Sequence, residues 1–428
     1  MPGGRSQPKP DGGAAAAAMP RHDGTPLSPY AAAGAEPLDG RRMSPAAGSR
    51  RKVLHVITDL GTGGAEMMLW KLVSSGDRQR FAHAVISLRG RGTIGPRIEE
   101  SGAAVHPLGM SPSLPSPFAL LELRRLLRRL EPQLIVGWMY HGMLASALGR
   151  SLAAFGVPVI WNVRQTLYDI RDEKRTSAAV IRACRSLSRR PAATIYNSHL
   201  SKGQHIAFGF APGNAVVIPN GFDETVFKPC GATRAAMRRA LGLGADDIAV
   251  GIIGRFHPQK DHGTFLKMAA ILAGRFPQLR FVMAGTGVSL ETPFFRERVA
   301  SLGLADKALL LDRRDDVPQL MAALDVAVSS SAFNEAFPNV VGEAMASALP
   351  MVATDVGDVR AILGDTGRVV PPRDPEALAE AVASVIALGK EGRERLGRRA
   401  RERLLEHFTL DGVTRAYERL YADVLDGK

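Results

Sequence analysis

Two cations and two carboxylates in the C-terminal half have the types and the spacing to hold a phosphorylated sugar. Arg255 and Lys260 lie in GRFHPQKDH, residues 254–262, with Pro258 between them. On one strand-to-helix connection they would clamp a diphosphate, Arg255 with a fork of donors and Lys260 as a point charge, and would stabilise charge growing on a departing nucleotide. A solvated basic loop would use the same residues. Glu335 and Glu343 lie in SSSAFNEAFPNVVGEAMASALP, residues 329–350. Pro338 and Asn339 mark a helix start, so Glu335 falls in the loop before it and Glu343 on its first turns. Carboxylates accept hydrogen bonds from vicinal hydroxyls, so this pair could grip a hexose and a ribose while backbone N–H groups around Ala336 to Asn339 point at phosphate. Two acids near a helix start are also favourable there without any ligand.

A third candidate lies near the start of the patterned chain. DLGTGGAE, residues 59–66, follows a strand and precedes the helical run MMLWKLV. Gly61, Gly63 and Gly64 let the backbone turn sharply and approach a ligand, with helix N–H groups behind them. The run is not the full dinucleotide fingerprint, and a tight turn without ligand would look the same.

These residues need elements to hold them. At 428 residues the chain is long enough for about two domains. From Val53, short apolar runs alternate with helical segments: 53–58, 83–88, 134–138, 157–163, 193–198 and 215–221. After the hinge-like NGFDETVFKP, 220–229, the pattern restarts at 248–255, 279–285, 308–312, 326–331, 350–355 and 366–372. The expectation is two α/β domains, 51–218 and 219–410, each on a mainly parallel sheet, which makes a cleft between them possible. A final helix over 411–428 carries Val413, Tyr417, Leu420, Tyr421 and Val424 as an apolar stripe that must dock, with nothing to say on which domain. Residues 1–50, rich in Gly, Pro, Ala, Ser and Arg, are expected to form a disordered basic tail.

Taken in order, GGAE, IPNGFD, GRFHPQK, the E-x7-E of Glu335 and Glu343, PMVATDVGD and TGRVVPPRDPEALAEAV resemble the GT-B retaining glycosyltransferases with E-x7-E motifs, the group 1 or family 4 type. The resemblance spans residues 53–428 and implies a GT-B fold of two Rossmann-like domains. It implies that Arg255 and Lys260 bind the donor diphosphate, that Glu335 lies near the sugar hydroxyls and that Glu343 lies near the ribose. Gly63 and Gly64 match the glycine turn beside the phosphates, and Ala336, Phe337, Pro338 and Asn339 complete the donor loop. His141, in WMYHGM, stands where the family often places a histidine lining the reaction centre, although a lone His at a strand end also serves structure. Ala336 stands where the commoner pattern has Gly. Arg164 and Lys174 resemble basic positions of a surface-polysaccharide subgroup and would face the acceptor, or form a solvated loop.

The implied reaction moves a sugar from a nucleotide-sugar donor to a glycan or lipid-linked acceptor with retention, without a metal and without a cofactor, the nucleotide sugar being a substrate. A GT-B sugar-nucleotide epimerase and a non-catalytic glycan or sugar-nucleotide binding protein are the alternatives. The net charge of +13 favours acidic partners, but no nucleic-acid motif accompanies it, so no nucleic acid is expected. The two cysteines, Cys184 and Cys230, suit a reducing compartment, and no apolar run reaches membrane-spanning length. A cytoplasmic location follows. The arginine runs 124, 125, 128, 129 and 185, 189, 190, read as helix faces, add the expectation of a peripheral contact with an anionic membrane surface. The run 393–407 reads as a helix laced by its own salt bridges.

Overall fold

A computed structural model describes residues 50–110, 117–153 and 156–428. All but Arg50 of the expected tail lies outside these residues. The first sheet contains β1 (Arg51–Ile57), β2 (Phe81–Ser87), β3 (Ala104–Pro107), β4 (Leu134–Trp138), β5 (Val159–Val163), β6 (Ala193–Tyr196) and β7 (Ala215–Val217). Its order is β3-β2-β1-β4-β5-β6-β7, with every pairing parallel. The second sheet contains β8 (Ile248–Ile253), β9 (Leu279–Ala284), β10 (Ala308–Leu310), β11 (Val326–Ser329), β12 (Met351–Thr354) and β13 (Arg368–Val370). Its order is β10-β9-β8-β11-β12-β13, again parallel throughout.

Helices cover both faces of each sheet, which is why the central strands are almost continuously apolar. β4 (LIVGW) and β5 (VIWNV) are buried at every position. The two sheets are the expected α/β pair. The edge strand β3 was not expected: of its four residues only Val105 is buried and the last is Pro107, too short a run for a periodic signal.

Six helices matter for the site: α1 (Gly64–Ser75), α2 (Met139–Ala153), α3 (His199–Phe208), α4 (His262–Arg275), α5 (Asn339–Ala346) and α6 (Leu410–Leu425). The stripe on α6 docks on the N-terminal sheet, where Val413, Tyr417 and Tyr421 join Leu69, Leu72, Val136 and Trp138 in one apolar cluster. The chain therefore crosses between domains twice, and the crossings run side by side. Phe222 N donates to Phe408 O at 2.9 Å, and Leu410 N to Phe222 O at 2.7 Å.

Two smaller expectations are corrected. In the helix Gly389–His407, Arg401 reaches the carbonyls of Phe227, Ala346 and Glu224, and Arg399 pairs with Asp365. These side chains tie the helix to its neighbours instead of lacing it internally. Arg189 and Arg190 follow the end of the helix Arg175–Leu187 and do not lie on it.

Candidate functional site

Each sheet has one place where neighbouring strands send their connections to opposite faces: between β1 and β4, and between β8 and β11. Such switch points open a crevice at the carboxyl ends of the strands, where α/β proteins bind ligands. The candidate residues belong to the four connections that flank these two points. Gly63 and Gly64 follow β1, His141 follows β4, Arg255 and Lys260 follow β8, and Glu335 follows β11.

The two donor-side connections are fastened to each other. Lys260 Nζ donates to Glu335 Oε1 at 2.6 Å, and Ser331 Oγ donates to the same oxygen at 2.9 Å. Gln259 Nε2 donates to Asn334 O at 2.7 Å, and Ser330 Oγ bridges to the carbonyls of Lys260 and Asp261. Asn334 adopts a left-handed φ of 56°, which turns the chain so that Glu335 enters the protein, where it is 8% exposed. Asp261, also left-handed, caps α4 by accepting from Thr264 N at 3.1 Å. Arg255 is exposed and makes no ion pair or side-chain hydrogen bond among the described residues, so its five donors are open to a ligand.

Pro338 caps α5 without a side-chain bond, and Gly63 does the same for α1. The two starts face each other: a methyl added at Gly64 would sit 4.0 Å from Asn339 Nδ2. Two sets of unpaired N–H groups thus approach one space from opposite domains. Glu66 folds back over Gly63, and burial, with Asp59 nearby, raises its carboxyl above the usual range. Ala336, Phe337 and Pro338 are buried beneath the loop, and Ala336 O accepts from Asp358 N at 3.1 Å.

Glu343 projects from the second turn of α5. Its carboxylate makes no hydrogen bond among the described residues and keeps part of its surface accessible, although protein surrounds it closely. Burial raises its pKa, opposed by the charges of Lys71 and Lys260. A carboxyl acceptor without a hydrogen-bond partner at the floor of a cleft is set up to receive donors from a ligand.

His141 lies on the first turn of α2, behind Met139 at a left-handed φ of 57°. It is exposed, hydrogen-bonded to none of the donor-side residues, and its pKa is lowered by partial burial and then by Arg89. Lys174 is exposed just before the helix Arg175–Leu187.

Arg164 is not an open acceptor-side residue. It is 9% exposed, donates to Tyr417 Oη at 2.7 Å and bonds to Asn220 Oδ1. Asn220 Nδ2 in turn donates to Asn339 Oδ1 at 2.6 Å and to Phe337 O at 3.2 Å. One polar chain therefore links α6, the end of β5, the first crossing and the donor loop. Asp358 makes a second link, accepting from His199 N at 2.7 Å and Leu200 N at 3.0 Å, so a C-terminal-domain carboxylate caps α3 of the N-terminal domain. Tyr168, exposed on the loop after β5, lies close enough to Glu335 and Asp358 for their charges to help burial raise its pKa.

Asn220 and Asp358 stood inside motifs that sequence reading marked without giving them a role; Lys71 and Tyr168 carried no sequence signal. Among the described residues, no group of three or more His, Cys, Asp or Glu could hold a metal, and no helix is long and apolar enough to cross a membrane.

Comparison with known proteins matches residues 62–226 to Glycosyltransferase Family 4 and residues 247–387 to glycosyl transferases group 1. The chain is 34% identical over 225 residues to a D-inositol 3-phosphate glycosyltransferase of Geodermatophilus obscurus, covering 49% of this chain and 48% of that one. It is 30% identical over 220 residues to the lipopolysaccharide core biosynthesis mannosyltransferase LpsB of Rhizobium meliloti, covering 49% and 61%. The chain thus spans about half the length of the curated relatives it matches. Among solved structures it resembles Anabaena Alr3699/HepE in complex with UDP, with a TM-score of 0.77, 23% identity, and coverage of 87% of this chain and 100% of that one. Two parallel sheets with this order make the GT-B architecture, with the family 4 match lying on the first sheet and the group 1 match on the second.

Proposed function

We propose that the chain is a retaining, metal-independent glycosyltransferase that moves a sugar from a nucleotide-sugar donor to a hydroxyl of a glycan or lipid-linked acceptor in bacterial surface or exopolysaccharide assembly. The observation that carries the reading is the fastening of Lys260 to Glu335 at 2.6 Å, beside the unpaired Arg255 and below two uncapped helix starts. That arrangement supplies cations and N–H groups for a diphosphate, and carboxylates for the hydroxyls on either side of it. The complexes of HepE with UDP and with UDP-glucose, and the lipopolysaccharide role in the name of LpsB, agree with this chemistry.

In the reading, Arg255, Lys260 and the N–H groups at Gly63, Gly64 and around Ala336 to Asn339 hold the diphosphate. Glu343 accepts from the ribose and Glu335 from the transferred sugar. No carboxylate nucleophile is invoked on the far face of the sugar. The bond from the anomeric carbon to the β-phosphate oxygen breaks as the acceptor oxygen bonds to the same face, and the acceptor proton passes to a leaving-phosphate oxygen. The protein orients the reactants and stabilises the charge gathering on the diphosphate, while His141 lines the sugar from the opposite domain. The exposed Arg125, Arg128 and Arg129 would rest on an anionic surface that presents a lipid-linked acceptor.

The test is incubation of the chain with a panel of nucleotide sugars and bacterial glycan or lipid acceptors, followed by NMR of the product's anomeric configuration. Acceptor-dependent release of nucleoside diphosphate with the donor's configuration preserved is expected. An inverted product would overturn retention, and a released epimer of the donor without acceptor would overturn transfer.

A further inference from the structure

Lys71 belongs to none of the motifs above, yet it reaches from α1 of the N-terminal domain to the floor of the cleft. Its Nζ donates to Gly221 O at a long 3.3 Å and stands 5.5 Å from the centroid of the Phe222 ring. The tip of that ring, Cζ with Cε1 and Cε2, lies against Gly342, so closely that any side chain there would collide with it. Gly342 immediately precedes Glu343. One aromatic ring therefore seats both the Lys71 ammonium and the turn of α5 that carries the unpartnered carboxylate.

The charges at this point sort into a simple arrangement. Glu343 is faced by Lys71 from α1 and by Lys260 from the loop after β8. Lys71 is faced by Glu343, by Asp223 after the first crossing and by Arg164 after β5. Lys260 is already engaged with Glu335 at 2.6 Å. Lys71 has no ion pair within 4.0 Å among the described residues, and its remaining N–H groups are uncommitted. A carboxyl so enclosed takes up a proton unless a cation stands near it, and the protonated form turns one oxygen into a donor and accepts from vicinal hydroxyls more weakly.

We infer that Lys71 is a positioning residue for the donor: from the opposite domain it keeps the Glu343 carboxylate charged and open toward the ribose of a bound nucleotide sugar. The inference rests on the donor reading given above. It assigns to the N-terminal domain a part in holding the nucleotide as well as the acceptor.

The experiment is calorimetric titration with UDP-glucose and GDP-mannose, across the acid-to-neutral range, of the full chain and of Lys71→Met and Lys71→Arg. Neither donor titrates at its phosphates in this range, so the profile reports protein groups. K71M is expected to bind about tenfold more weakly near neutrality, its loss of affinity on acidification setting in at higher pH than in the unmodified chain, with K71R restoring both. Adding K71M to Glu343→Gln is expected to cause no further loss, since the two act as one unit. Thermal melts identify variants that fail to fold, and K71R then carries the comparison. A K71M profile parallel to that of the unmodified chain, or K71M and E343Q effects that add, would overturn the inference while leaving the donor reading intact. Absence of binding by the unmodified chain to either donor would overturn both. In the ligand-free protein, carboxyl-carbon NMR of Glu343 is expected to show its titration displaced upward in K71M, a result independent of any donor, and an unmoved titration would also overturn the inference.

Discussion

Lys260 Nζ and Glu335 Oε1 lie 2.6 Å apart, joining the connection that leaves β8 to the connection that leaves β11. The pair is largely enclosed, with side-chain exposures of 21% and 10%. In the donor reading, the ammonium turns from the carboxylate toward phosphate as charge develops there, and Glu335 exchanges one partner for sugar hydroxyls. Replacement of Lys260 by Ala is expected to lower kcat by about 10²- to 10³-fold, the usual loss when one charge-stabilising donor is removed. Steady-state kinetics check this, and turnover within a few-fold of the unmodified chain would contradict it.

Glu343 is expected to trade stability for binding. Burial raises its carboxyl in the folded chain, so the folded state holds its proton more firmly than the unfolded state does. The stability it contributes is therefore complete below the unfolded carboxyl value and is lost as pH rises through the folded one. Glu343→Gln removes this dependence. The variant is expected to melt higher than the unmodified chain at neutral pH, to lose that advantage in acid, and to bind donor about tenfold more weakly. Melting curves across pH, together with calorimetry, test it; lowered stability at neutral pH with unchanged affinity would contradict it.

How far the site could be read in advance depended on how far its partners lie along the chain. Arg255, Lys260, Glu335 and Glu343 announce themselves because each sits where an apolar strand run gives way to a loop or a helix start, a local signal. Lys71 and Asp358 do not, because their partners are 150 and 159 residues away, in the other domain. Arg164 shows the cost of reading only locally. It follows a strand and precedes a polar loop, as an acceptor-side residue would, but Tyr417, 253 residues on, buries it at the hinge. The central strands of both sheets were legible from their continuous apolar runs. β3 was not, since an edge strand of four residues needs only half its side chains covered.

Asp358 fastens the domains by accepting from the N–H groups of His199 and Leu200 at the start of α3, so its removal takes away their acceptor, with Ser198 still capping Ser201 N, as well as weakening the interface. Asp358→Ala is expected to cost about 1 kcal/mol of stability in denaturant titration, in the range of a lost N-cap. It is also expected to enlarge the radius of gyration measured by small-angle X-ray scattering without ligand. An unchanged radius would show that the contact does not hold the domains together.

Buried histidines set a separate acid limit. Burial lowers His83, His205 and His262 from the ordinary 6.5 to about 4. Between those values the unfolded chain binds protons that the folded chain refuses, so this contribution to stability is present above about 6.5 and is lost as pH falls toward 4. His205→Gln, whose amide can still meet Tyr140 Oη, lacks one such group. Its melting temperature is expected to fall less on acidification than that of the unmodified chain. Parallel curves would contradict the assignment.

The most direct measurement is the thermal stability of the purified chain against a panel of nucleotide sugars, with Arg255→Ala and Glu343→Gln alongside. A ligand that binds only the folded state raises its stability by about 2.7 kcal/mol at a hundred times its dissociation constant. At least one nucleotide sugar is predicted to raise the melting temperature of the unmodified chain clearly, with its free nucleotide giving part of the effect and both variants showing less. No shift with any nucleotide sugar at saturating concentration, or an equal shift in both variants, would contradict a donor site built on these residues.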